Sequence, residues 1–233
     1  KRIGVNSRRL ADELSSSILH SLSSNPETPK QNNAIFDRVQ NVIVGDNTLA
    51  LQAALKQAEQ EGFQAESLGS DWQGEASEVG VKLAQKLRVT NISNAQPFCL
   101  IAGGETTVTL GGPSPFGDDA TTPPKVGRSA QGGNTQDKGG RNQELALAAV
   151  PELAGLDNAL LIALATDGED GPTDAAGAVV NGETLRRAEG LELEVADHLS
   201  RHAAYPFFEQ LGDLLKIGPT GTNVNDLTFL IRT

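Results

Sequence analysis

The chain is poor in the residues that build disulfides and metal cages. It has one cysteine and three histidines among 233 residues. An internal disulfide is therefore excluded, and a zinc site made of the usual ligands is disfavoured. The single cysteine, Cys99, lies within the apolar stretch PFCLIAGG, which favours a buried hydrophobic role over that of a nucleophile. No apolar run approaches the roughly 20 residues that a membrane-spanning helix needs.

Positive charge is scarce as well. The chain has 19 Lys and Arg against 30 Asp and Glu, a formal net charge of −11. This balance, without any basic run, argues against a nucleic-acid partner. A small phosphorylated ligand stays compatible, because backbone amides at a helix N-terminus bind phosphate without net positive charge.

The N-terminal residues lack the layout of a secretory signal, so we expect a cytoplasmic protein that is not attached to a membrane. The chain begins with Lys1 and contains no methionine. We therefore expect it to be processed, trimmed or part of a longer protein.

Hydrophobic periodicity predicts an α/β fold with a mixed, partly parallel sheet flanked by helices. Strands at 39–45 and 63–69 alternate with helices at 46–62 and 74–88. This order is typical of parallel strand–helix units. The apolar stretch NALLIALA predicts a buried strand further along the chain.

Two departures from this alternation of strands and helices are expected. The stretches at 97–104 and 106–112 both resemble strands and nearly touch in sequence, which predicts a β-hairpin. The Gly/Pro-rich segment 113–139 has no periodicity, and we expect a mobile lid or a disordered loop there.

Four glycine-marked corners carry the polar residues that could perform chemistry. They are GGET at 103–106, GGRNQE at 139–144, TDGEDGPT at 166–173 and GPTGTN at 218–223. In open α/β sheets, ligands bind beyond the carboxyl ends of the strands, so these corners could meet at one rim.

Each corner has a functional and a plain structural interpretation. Arg141 at the GGRNQE helix start could bind an anion, or it could be a solvated residue on a capped surface helix. Glu105 could bind a ligand, or it could be an ordinary acidic residue at a hairpin tip. The GPTGTN turn could hold phosphate on its free amides, or it could be a simple β-turn.

The acidic corner TDGEDGPT fails the calcium-loop template. A loop starting at Asp167 would need a ligand at its fifth position and glycine at its sixth, where Gly171 and Pro172 stand. A carboxylate at a strand end remains, which could bind Mg²⁺, orient a substrate hydroxyl or belong to an acidic surface turn. Neither a Walker-type nor a dinucleotide-binding glycine motif is present in the sequence, which disfavours those two classes.

An ordered set of blocks resembles the class II glycerate kinases. The blocks are NVIVGDNTLALQAALKQAEQEG, GEASEVG, IAGGETTVTL, GGRNQELALA, TDGEDGPTDAAGA, FFEQLGDLL and GPTGTNVNDL. The similarity covers the C-terminal part of such an enzyme, including the MOFRL domain. It implies that residues 1–95 are the end of the family's N-terminal region and that residues 96–233 are a MOFRL-like C-terminal domain.

The resemblance also implies an activity. Members of this family are two-domain proteins that transfer the γ-phosphate of ATP, with Mg²⁺, to a hydroxyl of D-glycerate in a cleft between the domains. Arg141 and Asp167 become the expected catalytic residues, with Asp167 also the candidate Mg²⁺ ligand. The expected substrate or nucleotide contacts are Gly104, Glu105, Asn142, Glu144, Asp170, Thr173, Thr220, Thr222 and Asn223.

Two departures from the family limit this expectation. The family's N-terminal phosphate loop and its lysine are not in this sequence. We therefore expect the isolated chain to be inactive and the missing N-terminal domain to be its partner. A homodimer is a further possible assembly. Where relatives carry an acid and a hydroxyl before a tyrosine, this chain has Ala203 and Ala204 after His202. The alternative is a non-catalytic module derived from this family, which binds a small ligand or has a regulatory role.

Overall fold

The computed structural model describes residues 43–90, 97–110 and 137–233. Residues 39–42 of the first predicted strand and most of the loop predicted at 113–139 lie outside these residues. The chain divides into a unit Lys1–Ile43, of which only Ile43 is described, and a compact unit Val44–Thr233. Everything below concerns the second unit.

The described part of this unit contains both helices and strands. The helices are α1 (Asn47–Gln60), α2 (Ala76–Val89), α3 (Arg141–Leu153), α4 (Thr184–Glu189), α5 (Val195–Ser200) and α6 (Ala204–Leu211). The strands are β1 (Gln64–Ser67), β2 (Trp72–Glu75), β3 (Phe98–Thr107), β4 (Ala159–Ala165), β5 (Gly177–Asn181), β6 (Leu214–Leu215) and β7 (Asp226–Arg232).

All seven strands belong to one mixed sheet. Its order is β1-β3-β7-β4-β5-β6, and β2 pairs with β3 beyond the end of β1. The pairs β1–β3 and β2–β3 are parallel. The pairs of β7 with β3 and β4 are antiparallel, as are β4–β5 and β5–β6. The predicted mixed, partly parallel α/β fold is therefore confirmed, and its parallel part is confined to one edge.

Apolar side chains cover both faces of the sheet. On one face, α2, α3 and α6 bury a large cluster that includes Leu83, Leu147 and Phe208 against β3, β4 and β7. On the other face, Leu51 of α1 packs on Cys99 and other side chains of β3 and β7. Burial raises the pKa of the Cys99 thiol to about 11, so this cysteine acts as a small hydrophobe, as its sequence context predicts.

The start of α1 and the packing of α2 follow directly from single residues. Asp46 caps α1 by accepting a hydrogen bond from the amide of Leu49 at 2.8 Å. Gly80 lets α2 approach α3 closely, since a Cβ there would lie 2.1 Å from the carbonyl oxygen of Leu145. The Asp46 cap therefore fixes the start of α1 on one face of the sheet, and Gly80 allows the close packing of α2 on the other.

The predicted hairpin at 97–112 is wrong. Residues Phe98–Thr107 form one continuous strand, with Gly103 and Gly104 inside it rather than at a turn. A Cβ on Gly104 would meet the backbone of Trp72 at 2.0 Å, because β2 runs directly alongside. In the strand predicted at 39–45, the described residues 43–45 have no regular structure.

Strands β1 and β2 and helix α2 share the sheet and core of the residues that follow them. The domain division predicted at residue 95 stays a prediction. In the described part of the chain, no helix is both long and apolar enough to cross a membrane.

Candidate functional site

Arg141, the first residue of α3, joins the ends of two strands. Its Nε donates to Asp226 Oδ2 at 2.6 Å, and its Nη2 donates to Asp226 Oδ1 at 3.2 Å. Its Nη1 donates to Glu105 Oε1 at 2.9 Å. Asp226 begins β7 and Glu105 lies near the end of β3, so the guanidinium fixes the relative positions of three elements.

Sheet pairing explains why these residues meet. Asp226 lies opposite Gly104 of β3 and opposite Ala165 of β4. Burial raises the pKa of the Asp226 carboxyl, while the hydrogen bonds and charge of Arg141 act in the opposite direction. The pair therefore places a cation at the rim of the sheet beside a buried carboxylate.

Asp170 caps the N-terminus of α3. Its Oδ2 accepts from the Gln143 amide at 2.8 Å, and its Oδ1 accepts from the Asn142 amide at 3.2 Å and from Asn142 Nδ2 at 3.3 Å. The carboxyl is only 1% exposed, and burial raises its pKa to about 6 against these hydrogen bonds. Gly140 makes room for it, because a Cβ there would lie 2.2 Å from Asp170 Cγ.

Thr173 belongs to the same buried network. Its Oγ1 donates to the Asp170 carbonyl at 2.8 Å and accepts from Gln143 Nε2 at 2.8 Å. The structure thus uses Asp170 and Thr173 to dock the TDGEDGPT turn onto α3. Any ligand contact by these two side chains stays a prediction.

Asp167 lies in contact with the GPTGTN turn. Asp167 Oδ2 accepts from Asn223 Nδ2 at 3.2 Å, and its carbonyl accepts from the Thr220 amide at 2.9 Å. Thr220 Oγ1 donates to the Thr166 carbonyl at 2.6 Å and lies 3.2 Å from the Thr222 carbonyl. The structure therefore brings the acidic corner and the glycine turn together.

A metal ion would find few protein ligands here. Among the described residues, no group of three or more His, Cys, Asp or Glu side chains is arranged to hold a metal. Mg²⁺ usually takes one or two carboxylates together with phosphate oxygens and water. The half-buried Asp167 carboxylate could provide one such ligand, but the described residues offer no all-protein cage.

Glu144 pairs with His202 one turn along α3 from Arg141. The Glu144 Oε2–His202 Nδ1 distance is 3.0 Å, and His202 adopts a left-handed φ of 52°. Burial raises the pKa of Glu144, and the contact with His202 partly opposes this rise. Neighbouring Ala203 and Ala204 are both 0% exposed.

Sequence reasoning missed Asp226 and Asn47. Nothing in NVNDLTF marks Asp226, because a lone acid before a strand is common; only the arginine facing it shows its role. Asn47, 8% exposed at the start of α1, donates through Nδ2 to the carbonyls of Val224 at 2.8 Å and Asp226 at 3.0 Å. The sequence predicted a helix that begins at residue 46, but it did not predict that Asn47 contacts these two carbonyl groups.

Comparison with known proteins relates this chain to one family. The model of the MOFRL family matches residues 98–226. A glycerate 2-kinase of Pyrococcus horikoshii is 35% identical over 198 residues, covering 84% of this chain and 40% of that protein. A D-glycerate 2-kinase of Thermotoga maritima is 33% identical over 204 residues, covering 86% of this chain and 42% of that protein.

A solved structure supports the same relationship. The crystal structure of a Thermotoga maritima glycerate kinase matches with a TM-score of 0.69 at 30% identity, covering 95% of this chain and 50% of that chain. This chain thus spans 40% and 42% of the two curated relatives and corresponds to their C-terminal part. The chain belongs to the MOFRL family.

Proposed function

We propose that this chain supplies the C-terminal part of a glycerate kinase active site, which transfers the γ-phosphate of ATP to a hydroxyl of D-glycerate. The relatives that carry the name glycerate kinase support the reaction class. Because this chain covers only 40% of the Pyrococcus relative, the remaining part of the site would come from an N-terminal region. The chain alone is then inactive.

The arrangement of Arg141 is the observation that carries the proposal. A guanidinium has five N–H donors, of which the contacts to Asp226 and Glu105 use three. The contacts made by the described residues leave two donors for an anionic oxygen at the rim of the sheet. A fixed planar cation of this kind can bind the glycerate carboxylate or neutralise the charge that develops on a transferring phosphoryl group.

Asp167 takes the second catalytic role. Held by Asn223 at 3.2 Å, its carboxylate would orient the acceptor hydroxyl or provide one Mg²⁺ ligand. Bound Mg²⁺ supplies charge neutralisation in phosphoryl transfer. The GPTGTN turn, with Thr220 and Thr222, would offer hydroxyl and amide donors to phosphate or substrate.

The remaining predicted residues act as supports in this proposal. Gly104 lets β2 approach β3, and Glu105 holds Arg141 in place. Asn142 and Asp170 fix the start of α3, and Glu144 holds His202. A cytoplasmic location and a homodimer remain predictions.

An ADP-release assay with D-glycerate and ATP·Mg²⁺ tests the proposal. The full-length protein that carries this chain and the isolated chain would be measured side by side. We expect turnover by the full-length protein and none by the isolated chain. Absence of turnover by a folded full-length protein, over a range of small hydroxy acids, would refute the kinase function.

A non-catalytic binding module is the second candidate, and the surroundings of His202 favour it. Ala203 and Ala204 are fully buried, and the backbone of His202 packs next to Gly139. These apolar side chains bring no reactive group to the site. Binding of a hydroxy acid without ADP release would support this module.

A further inference from the structure

A buried amide at the start of α1 holds the backbone that carries the carboxylate partner of Arg141. Asn47 Nδ2 donates to the carbonyl of Val224 at 2.8 Å and to the carbonyl of Asp226 at 3.0 Å. The Asn47 residue is only 8% exposed. The contacts join residues that are 177 and 179 positions apart in the chain, so they fix α1 and the start of β7 relative to each other.

The chemistry of the two partners explains why residue 47 is an asparagine. Backbone carbonyls only accept hydrogen bonds, so a side chain that serves both must donate two. An amide nitrogen carries two hydrogens, whereas a hydroxyl carries one and a carboxylate none. Gly103 of β3 makes room for the other end of the amide, because a Cβ there would lie 2.0 Å from Asn47 Oδ1. The Asn47 side chain is therefore matched to the two carbonyls that it contacts.

The backbone held by Asn47 is a turn at residues 223–226. Within it, Asn225 adopts a left-handed φ of 66°. Its carbonyl accepts from the Thr166 amide at 3.1 Å and from Thr166 Oγ1 at 2.7 Å. A left-handed conformation is uncommon for a residue other than glycine and persists where surrounding contacts hold it. Asn47 and Thr166 provide these contacts by binding alternate carbonyls of the turn.

Each end of the 223–226 turn contacts one of the two proposed catalytic residues. At the first residue of the turn, Asn223 Nδ2 donates to Asp167 Oδ2 at 3.2 Å. At the last residue, Asp226 Oδ2 accepts from Arg141 Nε at 2.6 Å. A shift of the turn would therefore move the hydrogen-bond partners of both Asp167 and Arg141.

We propose that Asn47 is a positioning residue of the proposed active site. Its amide sets the place of the 223–226 turn, and the turn in turn sets the places of Arg141 and Asp167. This inference rests on the proposed function for the reaction that these two residues serve. It adds that α1, which packs on the opposite face of the sheet from α3, contributes to catalysis by fixing the rim of the sheet.

Steady-state kinetics of the full-length protein with Asn47→Ala tests this role. Alanine removes both donors and is compatible with a helix start. We expect kcat/KM for D-glycerate to fall at least about tenfold, because a small displacement of a positioned group has effects of this size. Thermal unfolding verifies that the variant is folded at the assay temperature. Asn47→Ser is a milder second variant, whose hydroxyl can donate to only one carbonyl, and it should lose less activity.

A double-mutant cycle with Arg141→Lys separates positioning from a general loss of stability. We expect Asn47→Ala to lower kcat/KM by a smaller factor in the Arg141→Lys protein than in the wild type, because the guanidinium that it displaces is already gone. A general loss of stability lowers kcat/KM by the same factor in both proteins.

Thr48→Ala is the matched control. Thr48 is the next residue of α1, is exposed, and its hydroxyl lies 3.0 Å from Ser70 Oγ. This contact is made away from the 223–226 turn, so we expect wild-type kinetics from the control.

Hydrogen exchange at Arg141 Nε, followed by NMR of the full-length protein, tests the position of the guanidinium without turnover. The signal is assigned by its loss in Arg141→Lys. In the wild type this N–H donates to Asp226, which slows its exchange. We expect Asn47→Ala to accelerate the exchange about tenfold and Thr48→Ala to leave it unchanged.

The positioning role is overturned if Asn47→Ala leaves the exchange at Arg141 Nε unchanged, or if it changes kcat/KM by the same factor in both backgrounds. Accelerated exchange in a full-length protein that releases no ADP would instead refute the kinase function and keep the positioning role.

Discussion

Arg141 is the residue on which the proposed chemistry depends most. Lysine at this position would keep a positive charge beside Asp226 but could not reproduce the planar fork that contacts Asp226 and Glu105. We expect Arg141→Lys to lower kcat/KM of the full-length protein for D-glycerate by at least about tenfold. The ADP-release assay measures this loss, and thermal unfolding verifies that the variant is folded at the assay temperature.

Arg186→Lys serves as the control for Arg141→Lys. Arg186 is exposed and pairs with Glu183 at 3.1 Å on α4, far along the chain from the glycine corners. We expect wild-type turnover from this control. Wild-type turnover from Arg141→Lys as well would show that the forked geometry has no part in catalysis.

Asp170 makes the stability of the protein depend on pH. Burial raises the pKa of the Asp170 carboxyl from its ordinary value of 3.8 to about 6 in the folded state. A carboxyl with a raised pKa binds its proton more tightly in the folded state, so its stabilising contribution is present below pH 3.8 and is lost as the pH rises through about 6. Asp170→Asn removes this titration and keeps one oxygen for the helix cap.

The expected result is a pH-dependent difference between wild type and Asp170→Asn. The free energy of unfolding of wild type should gain about 2 kcal/mol relative to the variant as the pH falls from 7 to 4, measured by urea denaturation. Asp197→Asn is a contrasting control, since its hydrogen bond with Arg201 lowers the pKa of the exposed Asp197. A difference for Asp170→Asn that stays constant with pH would contradict the shift.

Sequence patterns identified individual candidate residues better than their roles. The glycine corners contain Arg141, Glu105 and Asp167, and the family resemblance selected these residues as candidates. It also selected Asp170, whose carboxylate oxygens accept hydrogen bonds from the backbone of α3. An acid next to a glycine can serve either as a helix cap or as a ligand contact, so the sequence alone does not distinguish these two roles.

Among the elements, the contact between α2 and α3 depends on Gly80. Alanine would gain about 1 kcal/mol from helix propensity. Its Cβ, however, would lie 2.1 Å from the Leu145 carbonyl oxygen, which is helix backbone and cannot rotate away. We expect Gly80→Ala to destabilise the protein by about 2 kcal/mol net.

Chemical denaturation of Gly80→Ala, compared with Gln85→Ala, measures this effect. Gln85 is an exposed residue of the same helix, so its replacement should be neutral or slightly stabilising. Equal or higher stability of Gly80→Ala would mean that α2 can shift away from α3 without loss.

The hairpin prediction failed because of contacts between neighbouring elements. Two adjacent glycines usually mark a turn, but glycine inside a strand also marks close approach of another group. Here the side chain of Asn47 lies against Gly103, and the backbone of Trp72 lies against Gly104. Neither neighbour can be inferred from the residues around the glycines, whereas the periodic helices α1, α2 and α3 were all predicted.

The site itself is a product of the whole sheet. The last strand, β7, inserts between β3 and β4, and so places Asp226 between Gly104 and Ala165. Local periodicity predicted β1, β4 and the mixed α/β class, but it did not predict β2. The antiparallel insertion of β7 depends on pairing between residues far apart in sequence, which a local pattern does not encode.

The same sheet gives a prediction about the smallest folding unit. A fragment that begins at residue 96 lacks β1, β2 and α2. Its β3 would lose both parallel partners, and Leu145 and Leu147 of α3 would lose the side chains of Val79 and Leu83 that share their core cluster. We expect residues 44–233 to unfold cooperatively, and residues 96–233 to show no cooperative transition.

Parallel expression and thermal unfolding of the two fragments, followed by circular dichroism, would decide this. The compact unit Val44–Thr233 is the reference. The MOFRL match begins at residue 98, inside the same sheet. Cooperative unfolding of 96–233 would show that the predicted division at residue 95 is a physical domain boundary. Its absence would mean that the family's sequence boundary cuts through one folding unit, because strand pairing and helix packing cross it.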